Sequence, residues 1–176
     1  MLADPLDNED RHMKKVFSLL VDNNPGVLSR VAGLFSRRGY NIESLTVGET
    51  ADPRYSRMTV VASGDDQILD QIRKQLAKLI DVADIKELES ETSVCRELVL
   101  IKVRVADDQR QSVITMANVF RGKTVDVGTD SLIIELTGNQ SKLDAFIRLL
   151  KDYEILELAR TGITGLSRGS DDVRYL

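Results

Sequence analysis

KKVFSLLVDNNPGVLSRVAGLFSRRG, residues 14–39, is the stretch that decides the fold. Lys14–Val21 is nearly continuous in apolar residues (Val16, Phe17, Leu19, Leu20 and Val21), which predicts a strand buried on both faces. Asp22-Asn23-Asn24-Pro25-Gly26 then breaks the chain sharply. Beyond the break the apolar period lengthens: Val27, Leu28, Val31, Leu34 and Phe35 fall on one face of a helix. Arg37 and Arg38 occupy its last turn, where cations suit the negative helix end, and Gly39 is the expected left-handed residue that closes it.

Downstream, Tyr40–Val47 reads as a second strand, with Tyr40, Ile42, Ser44 and Thr46 on one face and Asn41, Glu43, Leu45 and Val47 on the other. Gly48–Arg54 is a hairpin loop and Tyr55–Ala62 a third strand. Asp65 leads into a helix carrying Ile68, Leu69, Ile72, Leu76, Leu79 and Ile80, and Val82–Leu88 is a weaker fourth strand. The order is β-α-β-β-α-β, the ferredoxin-like arrangement. It then recurs. Glu97–Val105 is a strand, also apolar on both faces, and Gln109–Phe120 a helix with Val113, Ile114, Ala117, Val119 and Phe120 inward, closed by Gly122. Thr124–Val127 and Leu132–Leu136 form a hairpin, Ser141–Leu150 a helix and Ile155–Ile163 the last strand. Phe35-Ser36-Arg37-Arg38-Gly39 parallels Phe120-Arg121-Gly122. The expected fold is therefore α+β, two ferredoxin-like βαββαβ modules over 14–89 and 96–166. A flexible tail, 1–13, precedes them and a polar, frayed tail, 167–176, follows.

Charge and composition narrow the function classes. The chain has 176 residues and a net charge of −4, which argues against a nucleic-acid partner, since backbone binding needs clustered Lys and Arg. No apolar run reaches the ~18–20 residues of a membrane span. Residues 1–12 lack the basic start and apolar centre of a secretory signal, and Met13 is a candidate natural start. A lone cysteine, Cys95, fits a reducing, cytoplasmic setting. His12, the one histidine, lies in the tail, so neither a metal site nor histidine-dependent catalysis is expected. No catalytic residue is expected in either module.

The chemistry lies in Asp22–Gly26. The first amides of a helix have no internal acceptor and carry partial positive charge, so they suit a carboxylate, by roughly 0.3–2 kcal/mol. Gly26 lets a ligand approach the backbone, and the amide of Asn23 suits the α-ammonium or carboxylate of an amino acid. Asn-Asn-Pro-Gly is also simply a good turn. The second module is an internal control: Ala106-Asp107-Asp108-Gln109 has no Pro-Gly and carries two acids that would repel a carboxylate. Asn41 is a further candidate, either a ligand contact or an exposed edge residue. Arg30, Arg37 and Arg38 are a docking patch or merely solvated, and Cys95 is a tolerated small residue.

These stretches carry a resemblance. Asn23–Arg30, the run Phe35-Ser36-Arg37-Arg38-Gly39-Tyr40-Asn41-Ile42-Glu43-Ser44-Leu45, and Arg96-Glu97-Leu98, Phe120-Arg121-Gly122 and Ala159-Arg160-Thr161-Gly162 resemble the small regulatory subunit of acetohydroxyacid (acetolactate) synthase. Its first module is similar to an ACT domain. Cys95 departs from the acid common there, and Pro25 varies in the family. The resemblance implies that valine or a related branched-chain amino acid binds where two ACT domains of a homodimer meet. Asn23, Pro25, Gly26, Val27, Leu28, Asn41 and Ile42 would form the site, with Ile42 supplied by the other subunit. It also implies a separate catalytic large subunit that holds thiamine diphosphate, magnesium and usually FAD, and that the small subunit activates and makes feedback-sensitive. Competing readings are an ACT sensor for another enzyme, a stand-alone enzyme, and an RNA-binding module of the same topology. The last lacks the stacking aromatics and basic face it needs.

Overall fold

The computed structural model describes residues 13–170. The expected mobility of residues 1–12, His12 included, and of 171–176 lies outside the described residues. Among the described residues the first unit comprises 13–94 and 165–170, and the second is Cys95–Thr164.

In the first unit β1 (Met13–Asp22) leads to α1 (Val27–Arg38), β2 (Ile42–Glu49), β3 (Tyr55–Gly64), α2 (Asp66–Leu76) and β4 (Val82–Glu87). The sheet order is β2-β3-β1-β4, all antiparallel, which is the ferredoxin-like arrangement. Met13 pairs with Gly64 and so belongs to the first strand, not to a tail. Phe17 to Val21 are buried without a break, Ser18 included, as the nearly continuous apolar run predicts. Phe17, Leu19 and Val21 pack with Val27, Val31, Leu34 and Phe35 of α1 and Leu69, Ile72 and Leu76 of α2. Asp65 caps α2, its carboxylate accepting from the Ile68 amide at 2.8 Å.

Three expectations fail here for local reasons. Leu28 shares the apolar face by count, yet it lies in the first helical turn, outside the core cluster, and is 46% exposed. Ile80 follows the end of α2 in a turn and is 94% exposed. The alternation expected over 40–47 breaks: the strand starts at Ile42, and the register shifts between Ile42 and Ser44. One extra residue, Glu43, puts Ile42 and Leu45 on the same face, and both pack against the core.

The second unit repeats the plan with β5 (Ser93–Arg104), α3 (Asp107–Val119), β6 (Lys123–Val127), β7 (Ser131–Gly138), α4 (Gln140–Leu149) and β8 (Ile155–Arg160). Its order is β6-β7-β5-β8. Val99, Ile101, Val103 and Val105 are buried with Val113, Ala117, Leu132, Ile134, Leu143 and Phe146. The other face of β5 is not apolar throughout: Leu100 is exposed, Lys102 half-buried and Arg104 exposed. The expected last strand, Ile155–Ile163, stops at Arg160, before Gly162 at φ 89°, and a short β9 (Thr164–Ser167) beyond its expected end pairs with β5. Ser167 is thus in a strand, and the Arg168 amide donates to the Thr92 carbonyl at 2.8 Å. Glu97, buried, accepts two hydrogen bonds from Arg160, at 2.8 and 2.9 Å.

The two helix ends that resemble each other in sequence do so in geometry, with a shifted alignment. At the end of α1 the Gly39 amide donates to Ser36 O and the Tyr40 amide to Phe35 O, with Gly39 at φ 68°. At the end of α3 the Arg121 amide donates to Asn118 O and the Gly122 amide to Ala117 O. Arg121, at φ 58°, is therefore the counterpart of Gly39. Gly122 does not close the helix through its own dihedral. It is glycine for space: a Cβ there would lie 3.1 Å from Glu135 O and 3.2 Å from Ala117 O. Val119, counted as inward, is 74% exposed because it points away from Val113 and Ala117.

Candidate functional site

The loop between β1 and α1 sits at one end of the first sheet. The Val27 amide reaches the Asn24 carbonyl at 3.4 Å, and Gly26 has φ 87° and ψ −11°. Those values fit the second central position of a type II turn with Pro25 before it. Gly26 is also the N-cap of α1 and offers no side chain to cap it. The first turn begins with buried Val27 and exposed Leu28, so the amides of Leu28 and Ser29 face outward at the positive helix end. Pro25 and Gly26 are exposed.

Asn23 is committed to the fold. Its backbone amide donates to Arg54 O at 2.8 Å, and its side-chain amide donates to Glu49 Oε2 at 3.1 Å and Pro53 O at 3.0 Å. Its Oδ1 accepts from the Ser56 hydroxyl at 3.1 Å. Asn23 thus ties the turn to the β2–β3 hairpin. Asn41 is exposed just before β2, and among the described residues its side chain makes no hydrogen bond. Ile42 packs against the core that Val27 joins. Within one chain, then, Asn23 to Leu28 form one turn, while Asn41 and Ile42 lie at the start of an outer strand that pairs only with β3.

One ion pair at this end escapes sequence reasoning, which reads Arg30 as docking or solvated. Arg30 donates to Asp81 through Nε at 2.6 Å and Nη2 at 2.9 Å, and Asp81 is buried. These hydrogen bonds hold the Asp81 carboxyl below the usual carboxylate range and raise Arg30 further. The remaining nitrogen, Nη1, lies 3.0 Å from where a Cβ on Gly26 would be. Nothing in local spacing links Arg30 to a residue 51 positions away.

In the second unit the matching helix end carries acids. Two acids, Asp107 and Asp108, stand in its first turn, and the Arg110 guanidinium donates to Gly128 O at 2.8 Å and Thr129 O at 2.7 Å. Among the described residues no cluster of three or more metal-ligating side chains occurs, and no helix is long and apolar enough to cross a membrane.

Two family models match the chain. Residues 17–84 match the ACT domain of acetohydroxyacid synthase small subunits, and residues 96–169 match the small subunit of acetolactate synthase. The probable acetolactate synthase small subunit of Methanothermobacter thermautotrophicus is 53% identical over 156 residues, covering 88% of this chain and 93% of that protein. The acetolactate synthase isozyme 3 small subunit of Salmonella typhimurium is 47% identical, covering 92% and 100%. The crystal structure of the Thermotoga maritima acetolactate synthase small subunit superposes with a TM-score of 0.82 at 44% identity, over 90% of this chain and 99% of that one. With both units matched in order and the fold shared, this chain belongs to the acetolactate synthase small-subunit family.

Proposed function

We propose that this chain is the regulatory subunit of acetolactate synthase, acting on a separate catalytic large subunit. Two copies pair through their first units. A branched-chain amino acid, chiefly valine, binds where the turn Asn23–Leu28 of one copy meets Asn41 and Ile42 of the other. The backbone around Val27 and Leu28 takes the carboxylate. Binding favours one arrangement of the pair, and that preference both activates the catalytic subunit and makes it feedback-sensitive. The thiamine diphosphate, magnesium and FAD chemistry lies in the catalytic chain.

One observation carries this reading: the first turn of α1 behind Gly26 holds no acid and no capping side chain, whereas that of α3 carries two acids, Asp107 and Asp108. The same scaffold receives a carboxylate in one unit and repels it in the other. The test is calorimetric titration of the purified chain with valine, leucine and isoleucine, beside Gly26→Asp. Valine should bind and Gly26→Asp should weaken it more than tenfold, because a carboxylate then stands at the helix end. Turnover of the catalytic subunit should rise on adding this chain and fall again with valine. An unchanged affinity in folded Gly26→Asp would refute the site, and unchanged turnover would refute the partner.

A further inference from the structure

The two units share hydrogen bonds that align them residue by residue. The amides of Asp22 and Arg104 donate to Asp81 O and Glu154 O, both at 2.9 Å. Those of Asn23 and Val105 donate to Arg54 O and Asp130 O, at 2.8 and 2.9 Å. The helices then start at the caps Gly26 and Ala106. The first unit therefore has two extra residues, Asn24 and Pro25, in its loop. Arg30 and Arg110 are each the fourth residue of their helix, so they are counterparts.

Their side chains go opposite ways. Arg110 crosses the helix end and is spent on the hairpin carbonyls of Gly128 and Thr129. Arg30 turns back to Asp81, gripped by both carboxylate oxygens. The hairpin it would otherwise reach offers the Glu49 carboxylate and the Pro53 carbonyl, which now accept from Asn23. A guanidinium makes charge-assisted bonds about twice as strong as neutral ones, so whichever acceptor wins it holds it.

We propose that Asp81 is a positioning residue for the effector site: it holds Arg30 off the gap between α1 and the β2–β3 hairpin, which Arg110 closes in the second unit. This rests on the effector reading given above. Without the Asp81 charge, Arg30 swings across the turn at Gly26, displaces the Asn23 contacts and fills the space an amino acid needs. Asp81 itself, buried behind the guanidinium, touches no ligand.

The experiment is valine titration of the full-length chain as wild type, Asp81→Asn and the double variant Arg30→Gln/Asp81→Asn, with circular dichroism to establish folding. Asp81→Asn should weaken binding about tenfold, and removing Arg30 as well should return affinity to within about twofold of wild type. A purely structural role for the ion pair predicts no such second-site rescue. Unchanged affinity in Asp81→Asn, or a double variant no tighter than the single one, overturns the proposal. If Asp81→Asn does not fold, the double variant decides alone: near-wild-type affinity supports it and a tenfold loss overturns it. Wild type that binds no branched-chain amino acid refutes the effector reading itself.

Discussion

Replacing Gly26 by alanine should destabilise the first unit by about 2 kcal/mol, while the same change at Gly33, seven residues along, should stabilise it. Gly26 sits at φ 87°, where an L-residue costs roughly 1–2 kcal/mol. Its new Cβ would also stand 3.0 Å from Arg30 Nη1. A free arginine end would move aside cheaply. This one is doubly bonded to Asp81, so the methyl group must strain either the turn or that pair. Gly33 lies inside α1 with nothing within 4 Å of a built Cβ. Alanine there gains about 0.5–1 kcal/mol through helix propensity. A probe confined to the first unit reads the change where it is made. Hydrogen exchange of the Phe17–Val21 amides, read by mass spectrometry of the peptic fragment, reports the first unit alone. Exchange should speed up in Gly26→Ala and slow down in Gly33→Ala. Shifts of the same sign would refute the dihedral argument.

In the second unit, Arg121→Gly should raise stability by about 0.5 kcal/mol, as relief of the left-handed strain exceeds glycine's added unfolded entropy, whereas Gly122→Ala should lower it by roughly 1–3 kcal/mol. Urea midpoints in the opposite order would put the cap back on Gly122. Glu97→Ala should cost about 1–2 kcal/mol, because the exposed Arg160 loses its two charge-assisted hydrogen bonds to Glu97 while keeping the one to Asp144 at 3.2 Å, and urea unfolding measures this. Asp81 has its folded pKa depressed by Arg30, so its contribution is complete above about pH 4 and is lost as pH falls through the folded value. The stability gap between wild type and Asp81→Asn should narrow below that pH, and a gap constant down to acid would refute the linkage.

Element order and the position of the turn were legible because they depend on local period and punctuation. The nearly continuous apolar run Phe17–Val21, the Pro25-Gly26 break and the Gly39 stop each act through their own backbone or immediate neighbours. What was not legible depends on partners distant in the chain. Arg30 looks like any helix-surface arginine until the loop before β4 brings Asp81 to it. Asn23 looks free until the hairpin supplies Glu49, Pro53 and Ser56. The Glu43 bulge defeats a strict two-residue count, and the Arg121 dihedral defeats the rule that glycine takes the left-handed position. Leu28 fits the apolar stripe by angle, but at the helix end it stays outside the core.

The shifted register at Glu43 has a counterpart on β6, between Thr124 and Asp126, so the outermost strand on that side of each sheet is kinked at one residue. A straight, unpaired strand is a template onto which copies add without limit, the route to fibres. A kinked edge interrupts the run of evenly spaced donors and acceptors and increases the local twist. Beyond the kink β2 keeps only the short stretch from Ser44 to Glu49 in register. Such an edge can accept one partner of matching shape but is a poor seed for a growing stack. Straightening it by deleting Glu43 should make the protein precipitate as it is concentrated.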